Sequence, residues 1–179
     1  IEIKNEAQAT DIVSELHKAG YCVANVKKQT KRNNAPPPFT TSLLQQQAST
    51  RLQFTAKKTM LIAQQLYEGI DIGAEGAVGL ITYMRTDSFH ISEQAIASCR
   101  KLIAGSYGEN YLPEKPNMHA SDRKGTQGAH EAIRPTGVEY TPESIKNSLT
   151  KDQYRLYELI WNRFVASQMK PALYAVTDV

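Results

Sequence analysis

The sequence has 179 residues, of which 41% are hydrophobic, so it is long enough for one domain with a buried core, or for one domain and part of another. Its 21 basic and 18 acidic residues give a net charge of +3, which permits a polyanionic partner without requiring one. No apolar run is long enough to span a membrane, and the two cysteines, Cys22 and Cys99, lack metal-site spacing and are interpreted as free thiols.

The first block of the sequence is typical of a strand, a helix and a second strand. Asn5 is a candidate N-cap for a helix that ends before Gly20. Residues 21–26 then alternate as in a strand and lead into the basic stretch from Lys27 to Arg32. Because the sequence begins with Ile1 rather than Met and both of its ends look strand-like, we expect it to be a segment of a longer polypeptide.

A proline-rich stretch, residues 33–38, predicts an extended linker and the boundary of a domain. After it the sequence is predicted to be mainly helical, with a small β portion, which is an α+β class. Helix starts are predicted at residues suited to N-capping: Thr40 or Thr41, Thr55, Ser92 and Thr150. The apolar run 78–84 predicts a short buried strand, and the polar stretch 105–137 predicts a long irregular loop.

A tyrosine and an arginine lie two residues apart at the end of that predicted strand. On a strand Tyr83 and Arg85 would point to the same side. A tyrosine hydroxyl ordinarily has a pKa of about 10 and is a weak nucleophile at neutral pH. A guanidinium beside it favours the phenolate and can grip phosphate oxygens, while Asp87 or Ser88 can orient a neighbour. The spacing alone is more typical of a core or rim tyrosine beside an arginine that covers surface than of a catalytic pair.

The second polar cluster is residues 127–136, which contain His130, Glu131 and Arg134. Histidine is the natural proton carrier near neutral pH, whereas the second histidine of a zinc-protease pattern is missing, so we reject metal binding there. A polar loop tied to its own backbone is the alternative. A polar helix surface, residues 42–51, is a further candidate to line a nucleic-acid groove, although such surfaces are common.

These segments together resemble a known family. Residues 79–88, with the sequence GLITYMRTDS, resemble the active-site signature of type IA DNA topoisomerases. Residues 129–136, AHEAIRPT, resemble the second signature of that family, and residues 38–49 resemble the segment that enters its active-site domain. Residues 111–113 and 157–169 also fit, so the resemblance covers essentially the whole chain. It is strongest to bacterial topoisomerase I, although topoisomerase III and reverse gyrase share the core signature.

The resemblance implies a reaction and assigns roles to residues. Tyr83 would attack a phosphodiester of single-stranded DNA and become joined to the 5′-phosphate, so that another strand passes before religation. Negatively supercoiled DNA would be relaxed without ATP, in the cytoplasm and in association with the nucleoid. Arg85 would stabilise the scissile phosphate, and His130 would assist with Asp87 as a proton-relay partner. DNA contacts are expected at five further residues: Thr82, Ser42, Gln46, Arg51 and Arg134.

The resemblance also implies a domain organisation. Residues 35–172 would form a helical active-site domain similar to winged-helix or helix-turn-helix domains. It would be inserted in a β-rich arch domain, to which residues 1–34 and 173–179 belong. The family binds Mg²⁺ through an acidic Asp-x-Asp-x-Glu pattern that does not occur in this sequence. We therefore expect the magnesium-binding domain to be a missing partner from the same polypeptide, and this segment alone to cleave little or no DNA.

Two other classes of protein fit parts of the pattern. A tyrosine recombinase also combines tyrosine with arginine and histidine, but it becomes attached to a 3′-phosphate. A non-catalytic DNA-binding module would have the same helices and a structural Tyr83. The end of the DNA that is blocked, and the presence of any covalent adduct, distinguish these alternatives.

Overall fold

A computed structural model describes residues 2–73, 76–119 and 130–179 of the chain. The chain separates into two compact units. The first, called the terminal unit, comprises the residues up to Arg32 and Leu173–Val179, and the second, called the central unit, is Asn33–Ala172. None of the helices in the described ranges has both the length and the apolar composition needed to cross a membrane.

The terminal unit contains one helix and a two-stranded sheet. Helix α1, Glu6–Lys18, begins as predicted at Asn5, whose side chain accepts a hydrogen bond from the amide of Gln8 at 2.9 Å. Strand β1, Lys27–Asn33, pairs with strand β4, Ala172–Asp178. The prediction of a strand over residues 21–26 was wrong, because the residues that find a pairing partner are those of the basic stretch that follows.

The central unit consists mainly of four helices, and their starts follow the predicted caps. They are α2 (Thr41–Gln47), which continues into a π-helical turn (Ala48–Leu52), α3 (Ala56–Glu68), α4 (Glu93–Ser106) and α5 (Lys151–Ser167). Short 3-10 turns lie at Glu109–Tyr111 and Lys146–Ser148. The caps are Thr40, Thr55, Ser92 and Thr150, the last in a capping box with Gln153. The predicted α+β class is confirmed.

One hydrophobic core joins the helices of the central unit. Helix α3 packs against α2 and α5, because each contributes an apolar stripe at helical spacing. The largest fully buried side chains include Tyr157 and Phe164 of α5, Leu66 of α3, Leu44 of α2 and Phe39, which directly follows the linker. Tyr157 also donates a hydrogen bond to the carbonyl oxygen of Tyr140 at 2.6 Å, so its buried hydroxyl is satisfied.

Leu80, Ile81 and Met84 of the apolar run 78–84 are buried and Tyr83 is exposed, and the run is not the continuous buried strand that was predicted. Strand β3, Ala77–Val78, pairs antiparallel with β2, Ile70–Asp71, and regular pairing stops there. Beyond it the run meets the chain around Pro135, with a single bridge between Ile81 and Pro135. Proline has no amide hydrogen, so a regular ladder cannot continue along this partner.

Candidate active site

The backbone on the N-terminal side of Tyr83 is fixed by its neighbour Thr82. The Thr82 amide donates to the carbonyl oxygen of Arg134 at 2.9 Å. Its hydroxyl donates to the carbonyl oxygen of Ala132 at 2.7 Å and accepts from the Arg134 amide at 3.0 Å. The Thr82 side chain therefore supplies hydrogen bonds that the backbone around Pro135 cannot make. They hold residues 79–88, which we call the Tyr83 segment, against the segment that carries His130.

The C-terminal side of Tyr83 is fixed by the first residue of α2. The Thr41 hydroxyl donates to the carbonyl oxygen of Met84 at 2.8 Å and accepts from the Thr86 amide at 2.9 Å. The Thr41 amide donates to the carbonyl oxygen of Thr86 at 2.9 Å. These bonds flank Arg85 on both sides, so the path of the backbone that presents Tyr83 and Arg85 is set before any ligand arrives.

The Tyr83 side chain lies between two other rings. It is 40% exposed, and its ring centroid is 5.5 Å from that of Tyr67 in an edge-on arrangement and 6.1 Å from that of His130. No residue in the described part of the chain hydrogen-bonds to the Tyr83 hydroxyl. A partly exposed tyrosine whose backbone is fixed, whose hydroxyl has no hydrogen-bond partner among the described residues and which has a histidine beside it can meet an incoming phosphate.

Hydrogen bonds between polar side chains stabilise the segment that follows His130. Arg134 is buried and donates to a Glu131 carboxylate oxygen at 2.5 Å and to the carbonyl oxygen of Pro135 at 2.8 Å. The other Glu131 oxygen accepts from the Ser92 amide at 2.6 Å. Burial acts to raise the pKa of Glu131, but the charge of Arg134 and hydrogen bonds from Ser92 and Arg134 outweigh it and hold that pKa below its usual value.

The remaining predicted site residues differ in how they are placed. Arg85 is exposed and makes no hydrogen bond, ion pair or ring contact with another described residue, and Asp87 is also exposed. On α2, Ser42 and Gln46 are exposed, and Arg51 lies further along at the π-helical turn. The structure thus brings together Tyr83 and His130, and it places Thr82 and Arg134 in the bonding that supports them.

Metal-binding residues do not gather near Tyr83 in the ranges that the structure describes. No group of three or more histidine, cysteine, aspartate or glutamate side chains lies close enough to hold a metal ion there. Glu131 is already engaged by Arg134 and Ser92. The described residues around Tyr83 therefore do not fit a magnesium ion.

Two supporting residues were missed by the sequence analysis. Tyr67, on α3, is 42% exposed, and its ring packs edge-to-face with that of Tyr83. Thr41 was considered only as an alternative cap, whereas Thr40 makes the cap and Thr41 holds the Tyr83 segment. The two consecutive threonines are the signal in the sequence that could have indicated this role. Only one of them can cap α2, so the hydroxyl of the other is available for a different hydrogen bond.

Comparisons with known proteins agree along the chain. The sequence profile of a family described as DNA topoisomerase matches residues 1–179. A protein named DNA topoisomerase 1 from Rickettsia prowazekii is 53% identical over 94% of this chain and 22% of its own length. The protein of the same name from Rickettsia felis is 52% identical over 94% of this chain and 22% of its own length.

A solved structure supports the same conclusion. The full-length topoisomerase I from Thermotoga maritima superposes with a TM-score of 0.78 and 45% identity, covering 93% of this chain and 26% of that one. The chain thus spans about a fifth to a quarter of the length of these relatives. Since the family profile matches from the first residue to the last, the chain belongs to the DNA topoisomerase family.

Proposed function

We propose that Tyr83 is the nucleophile of a type IA DNA topoisomerase. Its hydroxyl oxygen forms a bond to the phosphorus of a phosphodiester in single-stranded DNA. The Tyr83 hydroxyl loses its proton as the bond from that phosphorus to the 3′-oxygen breaks, and the 3′-oxygen takes up a proton in turn. The products are a 5′-phosphotyrosyl ester and a free 3′-hydroxyl. The reverse reaction reseals the strand after another strand has passed, and it needs no ATP because the ester conserves the bond energy.

The observation that carries this proposal is the way in which Tyr83 is held. Its backbone is bonded through Thr82 on one side and through Thr41 on the other, while the residue stays 40% exposed and its hydroxyl has no hydrogen-bond partner among the described residues. An attacking group gains most when it is already positioned close to the bond it attacks. The fixed backbone and the flanking rings of Tyr67 and His130 restrict where the phenol can point.

Two cationic or polar side chains are proposed to act with Tyr83. Arg85 is exposed and has no other charge partner among the described residues, so its guanidinium is available to the scissile phosphate. His130, whose ring is 6.1 Å from that of Tyr83, is proposed to assist proton transfer, with Asp87 as a relay partner. We also propose that five further residues contact the DNA: Thr82, Ser42, Gln46, Arg51 and Arg134.

The identity of the substrate and the roles of the other parts of the protein are also proposed. The substrate is single-stranded or negatively supercoiled DNA, in the cytoplasm and associated with the nucleoid. Mg²⁺ belongs to an acidic domain elsewhere in the polypeptide. Residues 1–34 and 173–179 are proposed to be part of the β-rich arch, and residues 35–172 to be the active-site domain. Purified residues 1–179 alone are therefore expected not to relax supercoiled plasmid, and robust relaxation by them would overturn this part.

The central experiment replaces Tyr83 by Phe in the intact parent enzyme. The variant should form no covalent adduct with a labelled single-stranded oligonucleotide, while noncovalent binding stays within about twofold, since only one hydroxyl is lost. Tyr67→Phe is the matched control, because it removes a hydroxyl from the adjacent exposed tyrosine and should still form the adduct. An adduct in the Tyr83→Phe variant would refute the assignment.

The same assay separates the proposed function from its alternatives. In the parent enzyme the 5′ end of the cleaved strand should be blocked by protein and the 3′ end should be free. A blocked 3′ end would indicate recombinase-like chemistry. Absence of any adduct in the magnesium-supplied parent would indicate a non-catalytic DNA-binding module.

A further inference from the structure

A second candidate site lies in the central unit between the π-helical turn after α2, the linker and one face of α5. It is a cavity of about 410 Å³, which is within the range of about 300–1,000 Å³ common for small-ligand pockets. Three arginines line it: Arg51, Arg155 and Arg163. We call it the arginine pocket, and Glu158 is the one carboxylate among the residues that line it.

Helix α5 supplies most of the wall because of its residue spacing. Arg155 and Arg163 are eight residues apart, so they lie on one face of the helix about 12 Å apart along its axis. Glu158 and Asn162 lie between them on the same side. The apolar side chains of Leu52 and Leu159 line the same cavity, so charged donors and apolar surface occur together.

Two of the guanidinium groups are held in place by the protein. Arg163 donates through Nε to the carbonyl oxygen of Pro37 at 2.6 Å and lies 5.0 Å from the ring centroid of Phe39. Arg155 donates to the carbonyl oxygen of Leu52 at 3.2 Å and lies 5.1 Å from the ring centroid of Phe54. A guanidinium has five N–H donors, so each group keeps donors that these contacts do not use.

The charges of the three arginines are not neutralised within the described ranges. None of the three forms an ion pair with a described carboxylate, and Glu158 accepts its hydrogen bond from the hydroxyl of Tyr154 at 2.9 Å. Burial and the nearby charge of Arg51 lower the pKa of Arg163. Like charges held together in this way are stabilised by an anion that accepts from several of them at once.

We propose that the arginine pocket binds a phosphate group of a single-stranded DNA, at a place distinct from the Tyr83 site. This inference rests on the proposed function for the identity of the strand. Planar guanidinium forks match phosphate oxygens, and the apolar side chains can contact a sugar or base. Arg51 lies ten residues after Thr41, which is about 15 Å along a helix, whereas Phe39 brings the near end of the pocket to two residues from Thr41. Neither Tyr83 nor His130 is among the residues that line the pocket.

The first test measures binding without cleavage. The chain with Tyr83→Phe is titrated against a fluorescein-labelled oligothymidylate, and the anisotropy is followed at several salt concentrations. Arg51→Glu should weaken binding about tenfold at low salt and reduce the slope of log K against log salt by about 0.7, the loss of one phosphate contact. Arg51 is the residue of choice because it is exposed and makes no bond to another described residue, so the fold is retained.

The control makes the same change of charge elsewhere in the central unit. Lys57→Glu replaces an exposed cation on α3 that lies outside the pocket and should change the affinity less than threefold, which is a general charge effect. Equal effects of the two variants would overturn the proposal. No effect of Arg51→Glu would overturn it as well.

The second test identifies the ligand. The side-chain Nε–H signals of Arg155 and Arg163 are followed by nuclear magnetic resonance during titration with the oligothymidylate, with potassium phosphate and with polyglutamate. The proposal expects a shift with the oligonucleotide at lower concentration than with inorganic phosphate. A response to inorganic phosphate or to polyglutamate without a response to the oligonucleotide would overturn it. Adduct formation by the parent enzyme tests Tyr83 separately, so the two proposals can fail independently.

Discussion

Gly79 lies directly against the backbone of Tyr67, so that a methyl group at position 79 would stand 2.7 Å from the carbonyl oxygen of Tyr67. The next residue continues this approach, because the Leu80 amide donates to the carbonyl oxygen of Leu66 at 2.7 Å. The end of α3 and the start of the Tyr83 segment therefore touch through backbone atoms. Only glycine permits that separation, and it brings Tyr67 within reach of Tyr83.

Replacing Gly79 by Ala should destabilise the central unit by about 1–3 kcal/mol, because two backbone segments must move apart. Gly105→Ala is the matched control, since a methyl group there meets no atom within 4 Å and Gly105 lies within α4. It should be neutral or stabilising by about 0.5–1 kcal/mol. Urea unfolding of both variants measures the difference, and equal stability of the two would contradict the close approach.

Replacing Thr41 by Val should release the Tyr83 segment while keeping a similar side-chain shape. The Met84 carbonyl and the Thr86 amide lose their partner, which should cost about 1–2 kcal/mol of unfolding free energy. In the parent enzyme the rate of adduct formation should also fall, by about tenfold. Thr41→Ser keeps the hydroxyl and should restore that rate. A Val variant with a normal rate would show that the hydrogen bonds of the Thr41 hydroxyl do not position Tyr83.

The Glu131–Arg134 pair predicts a pH dependence of stability. The folded state holds the pKa of Glu131 below its unfolded value, so the stabilisation is present above the unfolded pKa of about 4.3 and is lost as the pH falls through the folded pKa. Glu131→Gln should therefore lower the free energy of unfolding near neutral pH by about 1–3 kcal/mol relative to the parent sequence. This difference between variant and parent, called the gap, should be smaller at about pH 3. Thermal unfolding across this pH range measures the gap, and a constant gap would contradict the linkage.

The two cysteines should differ in reactivity. Cys22 is exposed, whereas Cys99 is buried in α4, and burial raises the pKa of its thiol to about 12. Because the thiolate is the reactive form, iodoacetamide should label Cys22 and leave Cys99 unmodified until the protein unfolds. Mass spectrometry of the labelled chain measures both sites. Labelling of Cys99 in folded Cys22→Ser protein would show that α4 opens under native conditions.

The helices were predictable because their signals are local. Asn5, Thr55, Ser92 and Thr150 each combine a capping side chain with apolar residues at helical spacing, and each begins a helix. The prediction of a strand over residues 21–26 was wrong, because alternation of apolar and polar residues does not make a strand unless a partner strand is available. The choice of β1 depends on pairing with β4, which is more than a hundred residues away in sequence.

The candidate site was predictable in its residues but not in its construction. The motifs around Tyr83 and His130 carry the family resemblance, and the structure brings those two rings together. The supporting bonds of Thr41 and Thr82 are long-range, since they join segments that are 43 and 50 residues apart. The role of Arg134 could not be predicted either, because neither its burial nor its pairing with Glu131 follows from the motif.

The threonine bonds on either side of Tyr83 also have a consequence for conformational entropy. Fixing the backbone of one residue costs about 1–2 kcal/mol, and here that cost is met during folding. The Thr82 amide and the Thr86 amide are both bonded, so the backbone between them has little freedom left to lose. When DNA arrives, the ordering that remains is confined to side-chain torsions such as those of Tyr83 and Arg85.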